Sequence, residues 1–209
     1  SLAELSPNLP LPFRMVASLA HPLLRRLAAK QISTSARLSR IHVASSNACG
    51  KSYETWGVRV DQVIYPPVDT AVFHPVGSSS SEEYCLTYLG KETDYGAVLA
   101  LADSGVQIVA FGSKLRMAPE RLMAHPRVRW AGEVSDSQLA KLYSDAKFTA
   151  FPFSTEPFGY VPVESMACGT PVLTYFKEGP SETVLDGQTG WLVDGRAEFQ
   201  TQALRVWTS

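Results

Sequence analysis

The chain has 209 residues, of which 45% are hydrophobic and 19% are charged, and its formal net charge is −1. These values are typical of a globular protein with a full core, arranged as one large or two small domains. Because the net charge is close to zero, no nucleic-acid partner is expected.

The cysteines and histidines indicate neither a metal site nor a disulfide framework. Cys49, Cys85 and Cys168 lie far apart without any C-x-x-C pair, and the histidines lack H-x-x-x-H spacing. We therefore expect reduced thiols and no bound metal, as in a cytoplasmic protein. No apolar run reaches the roughly eighteen residues that a transmembrane helix needs, and prolines interrupt the start where a secretory signal would lie.

The first third of the chain predicts two helices and two short strands before a polar linker. Apolar residues recur at helical spacing over residues 13–30, where Pro22 is expected to kink or divide the helix. A strand over residues 41–44, a helix over 48–56 and a strand over 60–65 follow. The polar stretch that begins at Gly77 then predicts a domain boundary, with residues 1–76 on one side and 77–209 on the other.

One charge asymmetry marks the region before the linker. No acidic residue occurs between Glu4 and Glu54, whereas the segment 14–51 carries Arg14, Arg25, Arg26, Lys30, Arg37, Arg40 and Lys51. A basic, partly amphipathic segment can lie on an anionic membrane surface, which would make the protein membrane-associated. A helix that packs its apolar face on another domain has the same pattern, so both interpretations stay open.

Beyond the linker, predicted strands and helices alternate. Strands are predicted over residues 84–89, 106–111, 128–131, 148–151, 171–175 and 190–193. Helices are predicted over residues 95–103, 119–124, 137–146, 160–168, 181–185 and 197–207. Such alternation implies parallel pairing and right-handed crossovers. The predicted fold class is therefore α/β, with a doubly wound, Rossmann-like parallel sheet that binds ligands at the carboxyl ends of its strands.

Two glutamates near the fourth of these helices form the most informative pattern. Glu156 and Glu164 stand eight positions apart, around a turn that contains Pro157 and Gly159. Glu156 would lie in the loop before the helix and Glu164 about one turn inside it, so both could face one ligand. The ordinary alternatives are a carboxylate at a helix N-terminus for the first and an exposed helix carboxylate for the second.

The surrounding string makes this pattern specific. EPFG is followed by ESMACGTPV, EGPSE and DGQTG, all between residues 156 and 190. This order resembles the E-x7-E signature of the retaining glycosyltransferases of family four, which have the GT-B fold of two Rossmann-like domains across a cleft. The resemblance implies that residues 1–76 are the tail of the acceptor-side domain with its interdomain bridge. Residues 77–209 would then bind the nucleotide sugar.

The resemblance also assigns roles in binding the diphosphate of the donor. Gly90-Lys91 stands where the family has Gly-Arg, and a lysine offers a point charge instead of a bidentate fork. The family's second lysine is absent from the matching residues 94–96. Lys114, which follows Gly112 after the next predicted strand, is a candidate replacement. For each lysine the alternative is an ordinary solvated side chain.

The two glutamates would contact different parts of the donor. Glu164 would accept hydrogen bonds from the ribose hydroxyls. Glu156 would be the catalytic carboxylate, which contacts the hexose and supports positive charge at the anomeric carbon. Hexose or phosphate oxygens would face the backbone N–H groups at the helix start, those of Phe158, Gly159, Tyr160 and Val161.

The activity implied by the resemblance is transfer of a hexose, with retention, from a nucleotide diphosphate sugar to a glycan, lipid or small-molecule acceptor. The nucleotide sugar is a substrate, and neither a cofactor nor a metal is expected. A second hypothesis is a nucleotide-sugar-binding module without turnover, or an inactive fragment of a larger glycosyltransferase. The motif leaves the base, the sugar and the acceptor open.

Overall fold

The computed structural model describes residues 11–77, 83–113 and 118–209, and the backbone alone for residues 11–19. The chain forms two compact units, Ser1–Pro66 and Pro67–Ser209. The polar linker predicted from Gly77 onward and the candidate phosphate ligand Lys114 fall largely or wholly outside the described residues.

Among its described residues, the first unit contains two helices and one pair of short parallel strands. Its elements are α1 (Leu11–Leu38), β1 (Val43–Ala44), α2 (Asn47–Glu54) and β2 (Gln62–Val63), and β1 pairs with β2. The N-terminus of α2 is capped by Ser46, whose hydroxyl accepts from the Cys49 N–H at 2.9 Å. Of the two outcomes expected for Pro22, division of the helix is wrong, because Pro22 lies inside α1, which has 28 residues. A proline inside a helix removes one backbone donor and crowds the carbonyl four residues earlier, which bends some helices and breaks others. The kink stays a prediction.

The second unit alternates strands with helices, as the sequence predicts. Its strands are β3 (Cys85–Tyr88), β4 (Ile108–Phe111), β5 (Val128–Gly132), β6 (Phe148–Phe151), β7 (Val172–Tyr175) and β8 (Gly190–Val193). Its helices are α3 (Tyr95–Asp103), α4 (Glu120–Met123), α5 (Asp136–Asp145), α6 (Tyr160–Ala167), α7 (Pro180–Thr183) and α8 (Arg196–Trp207). The predicted bounds differ from these by at most two residues at each end.

All six strands of this unit join one parallel sheet in the order β5-β4-β3-β6-β7-β8. The chain starts at β3, builds to one edge through β4 and β5, and returns to pair β6 on the other side of β3. This is the doubly wound order with its switch point between the first and fourth strands. The predicted α/β, Rossmann-like class is therefore confirmed.

The sheet is buried on both faces, which explains the continuous apolar character of its strands. On one face, Leu89 and Phe148 pack with residues of α3 and α8 such as Leu101 and Phe199, all of them 0% exposed. On the other face, Leu86 packs against α5 and the segment before the sheet. Because neither face offers an opening among these packed residues, access for a polar ligand lies at the ends of the strands.

The last residues of the first predicted domain pack with the second unit. Phe73 is 8% exposed and belongs to the same cluster as Leu86 and Tyr143, with Val68 and Val72 packed against it. The boundary between the two units, at Pro66 and Pro67, thus lies ten residues before the predicted one. The boundary lies there because these apolar side chains are buried against α5. A polar stretch in the sequence gives no information about such burial.

Among the described residues, none of the helices has both the length and the apolar content that crossing a bilayer requires. The thiols of Cys49, Cys85 and Cys168 are all free.

The close approach of β8 to β7 at Gly190 gives a test of the sheet. A Cβ added there would lie 2.1 Å from the Val172 carbonyl oxygen, which is backbone and cannot rotate away. Gly190→Ala should therefore lower the free energy of unfolding by about 2–3 kcal/mol in urea titrations. Gly105→Ala is the control, because Gly105 has open space around it and only its φ of +98° opposes a side chain, which costs about 1 kcal/mol. Equal losses for the two variants would contradict the steric explanation.

Candidate functional site

The loops after β3 and β6 leave the sheet side by side at its switch point. An antiparallel bridge pairs Thr93 with Phe153, and the Asp94 N–H donates to the Pro152 carbonyl at 2.9 Å. These contacts fix the loop that carries Gly90 and Lys91 next to the loop that leads to Glu156. In doubly wound sheets the crevice at this position is the usual ligand site.

The Gly90-Lys91 turn is held by hydrogen bonds to its own loop. The Gly90 N–H donates to Thr93 Oγ1 at 2.8 Å, and its carbonyl accepts from the Tyr95 hydroxyl at 2.6 Å. A Cβ at Gly90 would lie 2.7 Å from the Tyr88 ring, so a side chain there would force the ring to move. Lys91 is exposed, and its Nζ lies 3.2 Å from Glu92 Oε1.

The family resemblance leads us to expect a second lysine at residues 94–96, where this chain has Asp94 instead. Asp94 is the centre of a network of hydrogen bonds and one ion pair. Asp94 caps α3 by accepting from the Ala97 N–H, and it also accepts two hydrogen bonds from the Arg196 guanidinium, at 2.6 and 3.1 Å. The Tyr175 hydroxyl donates to the same carboxylate at 2.9 Å. Burial is the main reason why the pKa of Tyr175 is raised, with the Asp94 charge adding to it.

The next loop approaches the first through Gly112. Its φ is +125°, its N–H donates to the Gly132 carbonyl at 3.1 Å, and a Cβ there would meet the Leu89 carbonyl at 2.8 Å. The backbones after β3, β4 and β5 are therefore in close contact at the carboxyl edge. The proposed role of Lys114, two residues further on, stays a prediction.

Glu156 lies half-buried in the loop before α6. Its Oε1 accepts from the Gly159 N–H at 3.2 Å and lies 3.5 Å from the Phe158 nitrogen. Burial raises the pKa of this carboxyl group, the two N–H groups oppose that rise, and the nearby charges of Glu92 and Glu178 add to it. Glu156 is thus a half-buried carboxyl group whose ionisation is disfavoured mainly by burial.

The N-terminus of α6 is formed around Gly159, whose φ of +90° suits glycine. The predicted ligand donors divide into two pairs. The Phe158 and Gly159 N–H groups point to Glu156, within the chain. The N–H groups of Tyr160 and Val161 begin the helix, where no intrahelical acceptor exists. Tyr160 is 48% exposed, while the Phe158 side chain is buried and packs edge-on against the Tyr160 ring.

Glu164 lies in the second turn of α6, as predicted, and is half-buried. Its Oε2 accepts from the hydroxyl of Tyr143 on α5 at 3.1 Å. Burial raises the pKa of Glu164, the Tyr143 hydrogen bond lowers it, and the charge of Asp136 raises it. The description as an ordinary exposed helix carboxylate therefore does not fit.

Sequence reasoning missed the neighbours of the two glutamates. Tyr143, Glu92 and Glu178 come from three other segments of the chain, and no local spacing connects them to Glu156 or Glu164. A tyrosine on the apolar face of α5 was the one available signal, because a buried phenol needs a polar partner. Among the described residues, no group of three or more His, Cys, Asp or Glu side chains is placed to hold a metal ion.

Comparison with known proteins places the chain in a family. The family model for glycosyl transferases group 1 matches residues 101–206. The chain is 32% identical to a D-inositol 3-phosphate glycosyltransferase of Mycobacterium tuberculosis over 161 residues, which cover 66% of this chain and 33% of the relative. The chain thus spans about a third of the length of the curated relatives it matches.

Solved structures share the fold at lower identity. Sucrose-phosphate synthase from Thermosynechococcus elongatus superposes with a TM-score of 0.68 at 24% identity, over 80% of this chain and 49% of that one. Anabaena HepE in complex with UDP and glucose superposes with a TM-score of 0.71 at 22% identity, over 88% of this chain and 58% of that one. At these identities the likeness concerns the fold.

The raised pKa of Glu156 leads to a test of its energetic cost. A carboxyl group whose folded-state pKa is raised binds its proton more tightly in the folded protein, so ionisation at neutral pH lowers stability. Glu156→Gln keeps an oxygen for the Gly159 N–H and removes the charge. We expect its free energy of unfolding at pH 7 to equal or exceed that of the parent chain, and the gain to shrink as pH falls toward 4.5, the ordinary value.

Urea unfolding at several pH values measures this difference, with the exposed Glu120→Gln as the control for removing one negative charge. A Glu156→Gln variant that becomes relatively less stable as pH rises from 4.5 to 7 would show that the folded protein favours the ionised carboxylate.

Proposed function

Because the chain belongs to the group 1 glycosyl transferases, we propose that its protein transfers a hexose from a nucleotide diphosphate sugar to an acceptor, with retention at the anomeric carbon. This membership confirms the family suggested by the sequence. The observation that supports the function best is the position of two half-buried carboxylates, Glu156 and Glu164, beside the switch point of the sheet. We also assign the unit Ser1–Pro66 to the acceptor-side domain.

The nucleotide part of the donor would contact Glu164. Its carboxylate offers about four acceptor positions, and Tyr143 uses one of them. A ribose presents two adjacent hydroxyl donors, which the remaining positions can accept. The complexes of Anabaena HepE with UDP and with UDP-glucose show such a donor bound to a protein of the same fold, which supports this ligand class.

The diphosphate would be held by fixed positive charge and backbone N–H groups. Lys91 is exposed at the crevice, so it can exchange its contact with Glu92 for a phosphate oxygen. The N–H groups of Tyr160 and Val161 offer donors at the start of α6. We assign Lys114 as the second cation. In this proposal these groups, without a metal ion, neutralise the departing diphosphate.

The hexose would contact Glu156. In a front-face displacement the bond from the anomeric carbon to phosphate breaks, its electron pair leaves with the diphosphate, and the acceptor oxygen attacks from the same side. The acceptor proton passes to the departing phosphate oxygen. Positive charge develops at the anomeric carbon, and the carboxylate of Glu156 stabilises it. Its negative neighbours Glu92 and Glu178 strengthen that field.

The second candidate is a nucleotide-sugar-binding module without turnover, because the chain spans about a third of the length of its curated relatives. An assay that measures donor hydrolysis and sugar transfer by the full-length protein distinguishes the two functions. Turnover that is lost in Glu156→Gln, while nucleotide diphosphate binding persists, supports the enzyme. Tight donor binding without hydrolysis or transfer supports the module.

Nucleotide binding itself is tested by calorimetry with UDP, GDP and ADP. Glu164→Ala should weaken the tightest of the three by about 10- to 100-fold, because hydrogen bonds to a charged group contribute about 1.5–3 kcal/mol. Lys91→Ala should weaken the nucleoside diphosphate more than the nucleoside. Glu120→Ala, an exposed glutamate of α4, is the matched control. A parent chain that binds none of the three nucleotides contradicts the proposed donor.

A second contact is proposed for α1, in keeping with a cytoplasmic protein that associates with a membrane. At 3.6 residues per turn, one exposed stripe of the helix contains Leu23, Leu27 and Leu38. The neighbouring stripe contains Arg26, Lys30 and Arg37, all exposed. An apolar stripe beside a basic stripe fits the surface of an anionic bilayer.

Co-sedimentation with vesicles tests this contact. We expect binding to vesicles that contain phosphatidylglycerol, weaker binding at high salt, and a several-fold loss in the Arg26→Glu/Lys30→Glu variant. Arg127→Glu/Arg205→Glu changes the charge of the second unit by the same amount and is the control. Absence of binding to anionic vesicles would favour the alternative, in which α1 packs on another part of the protein.

A further inference from the structure

The hydroxyl group of Tyr143 is fixed in position next to Glu164. Tyr143 is 0% exposed, and its ring packs edge-on against Phe73 and Phe111, with centroid distances of 6.3 and 6.1 Å. Its backbone carbonyl accepts from the buried Thr170 hydroxyl just after the end of α6. Ring and backbone are both held, so only the hydroxyl proton is free to rotate.

This hydroxyl donates to one defined oxygen of the glutamate. The bond to Oε2 is 3.1 Å long and joins α5 to α6, two helices that pack on the same face of the sheet. It restrains rotation of the Glu164 carboxylate and uses one of its oxygens. The other oxygen, Oε1, is then presented in a constant direction.

The partner of Tyr143 differs from that of the neighbouring buried phenol. Tyr84 lies in the same cluster, is 3% exposed, and satisfies its hydroxyl with the Leu142 carbonyl at 2.8 Å. A neutral carbonyl is sufficient for such a group. Tyr143 instead donates to a carboxylate that is itself half-buried. Burial raises the pKa of Glu164, and burial followed by the charge of Glu164 raises the pKa of Tyr143.

We propose that Tyr143 is a positioning residue, which holds Glu164 ionised and oriented so that Oε1 accepts the vicinal hydroxyls of a ribose. The inference rests on the proposed function and adds a residue that never touches the donor. Its contribution passes through Glu164 and should disappear when Glu164 is replaced.

The other charged and titratable groups that face Glu164 set the background for a pH measurement. Asp136, at the start of α5, raises the pKa of Glu164 through its charge. Cys168 lies at the end of α6, and burial raises the pKa of its thiol, with the charge of Glu164 adding to that rise. Tyr143 is the neighbour whose hydrogen bond lowers the pKa of Glu164, so it stabilises the carboxylate form.

The first test needs no ligand. NMR titration of the glutamate side-chain carboxyl carbons, with Glu164 assigned through Glu164→Gln, should show a higher pKa for Glu164 in Tyr143→Phe than in the parent chain. The substitution keeps the packed ring and removes the donor. Tyr84→Phe removes a buried phenol hydroxyl from the same cluster and should leave the titration of Glu164 unchanged. An unchanged Glu164 titration in Tyr143→Phe would overturn the inference.

The second test measures recognition of the ribose. The tightest of UDP, GDP and ADP is compared with its 2′,3′-dideoxy form by calorimetry. Tyr143→Phe should reduce the preference for the ribose form by roughly three- to tenfold, the effect of one hydrogen bond. Nucleotide affinity should fall at acidic pH as Glu164 is protonated, and in Tyr143→Phe this fall should occur at a higher pH than in the parent chain. In a Glu164→Ala background the same substitution should have no effect on affinity.

The outcomes separate this inference from the proposed function. If the parent chain binds no nucleotide, the donor assignment fails, while the titration still reports on the pair. If the parent chain prefers the ribose form through Glu164 and Tyr143→Phe keeps both the preference and its pH dependence, the positioning role is wrong and the function stands. If Tyr84→Phe reproduces the effects, they come from the cluster and the role of Tyr143 is likewise refuted.

Discussion

The reversal of strand order between β3 and β6 is the constraint on which the rest of the second unit depends. Strands on either side of this point send their crossovers to opposite faces of the sheet, which is where doubly wound folds bind ligands. The backbone contacts between Thr93 and Phe153 and between Asp94 and Pro152 hold the loops after β3 and β6 side by side at this point. With both faces of the sheet packed, the polar side chains of the candidate site collect at this edge.

Electrostatics at this edge oppose stability and favour the proposed chemistry. Glu156 and Glu164 are both half-buried, and burial is the largest cause of the raised pKa of each. Around Glu156, the like charges of Glu92 and Glu178 add to the cost of ionisation. In the proposed function, this cost of ionisation would be offset by a sugar that acquires positive charge as its bond to phosphate breaks. Stability given up at a functional site in this way is common in proteins.

Local signals determined how much could be predicted from sequence. The bounds of Tyr95–Asp103 and Phe148–Phe151 agree with the predictions, because apolar runs and terminal glycines are encoded within a few residues. Contacts that join distant segments were not predicted. Tyr143 and Glu164 are 21 positions apart, and Asp94 and Arg196 are 102 apart. Pro22 lies inside one continuous helix, and its local signal alone does not decide between a kink and a break.

The loop after β3 has Asp94 where the family resemblance predicts a second lysine, and Asp94 has a structural role there. Asp94 caps α3 and pairs with Arg196, so the N-terminus of that helix already has its negative partner and would repel a phosphate. Tyr95 points inward to the Gly90 carbonyl and supplies no charge.

An anion in this crevice is therefore expected nearer to α6, whose N-cap is Gly159 and carries no side-chain cap. Two of the N–H groups before that helix are taken by Glu156, and those of Tyr160 and Val161 follow. In the proposed function, the diphosphate and the carboxylate of Glu156 would therefore share one helix start, which would bring the leaving group and the developing positive charge to adjacent positions.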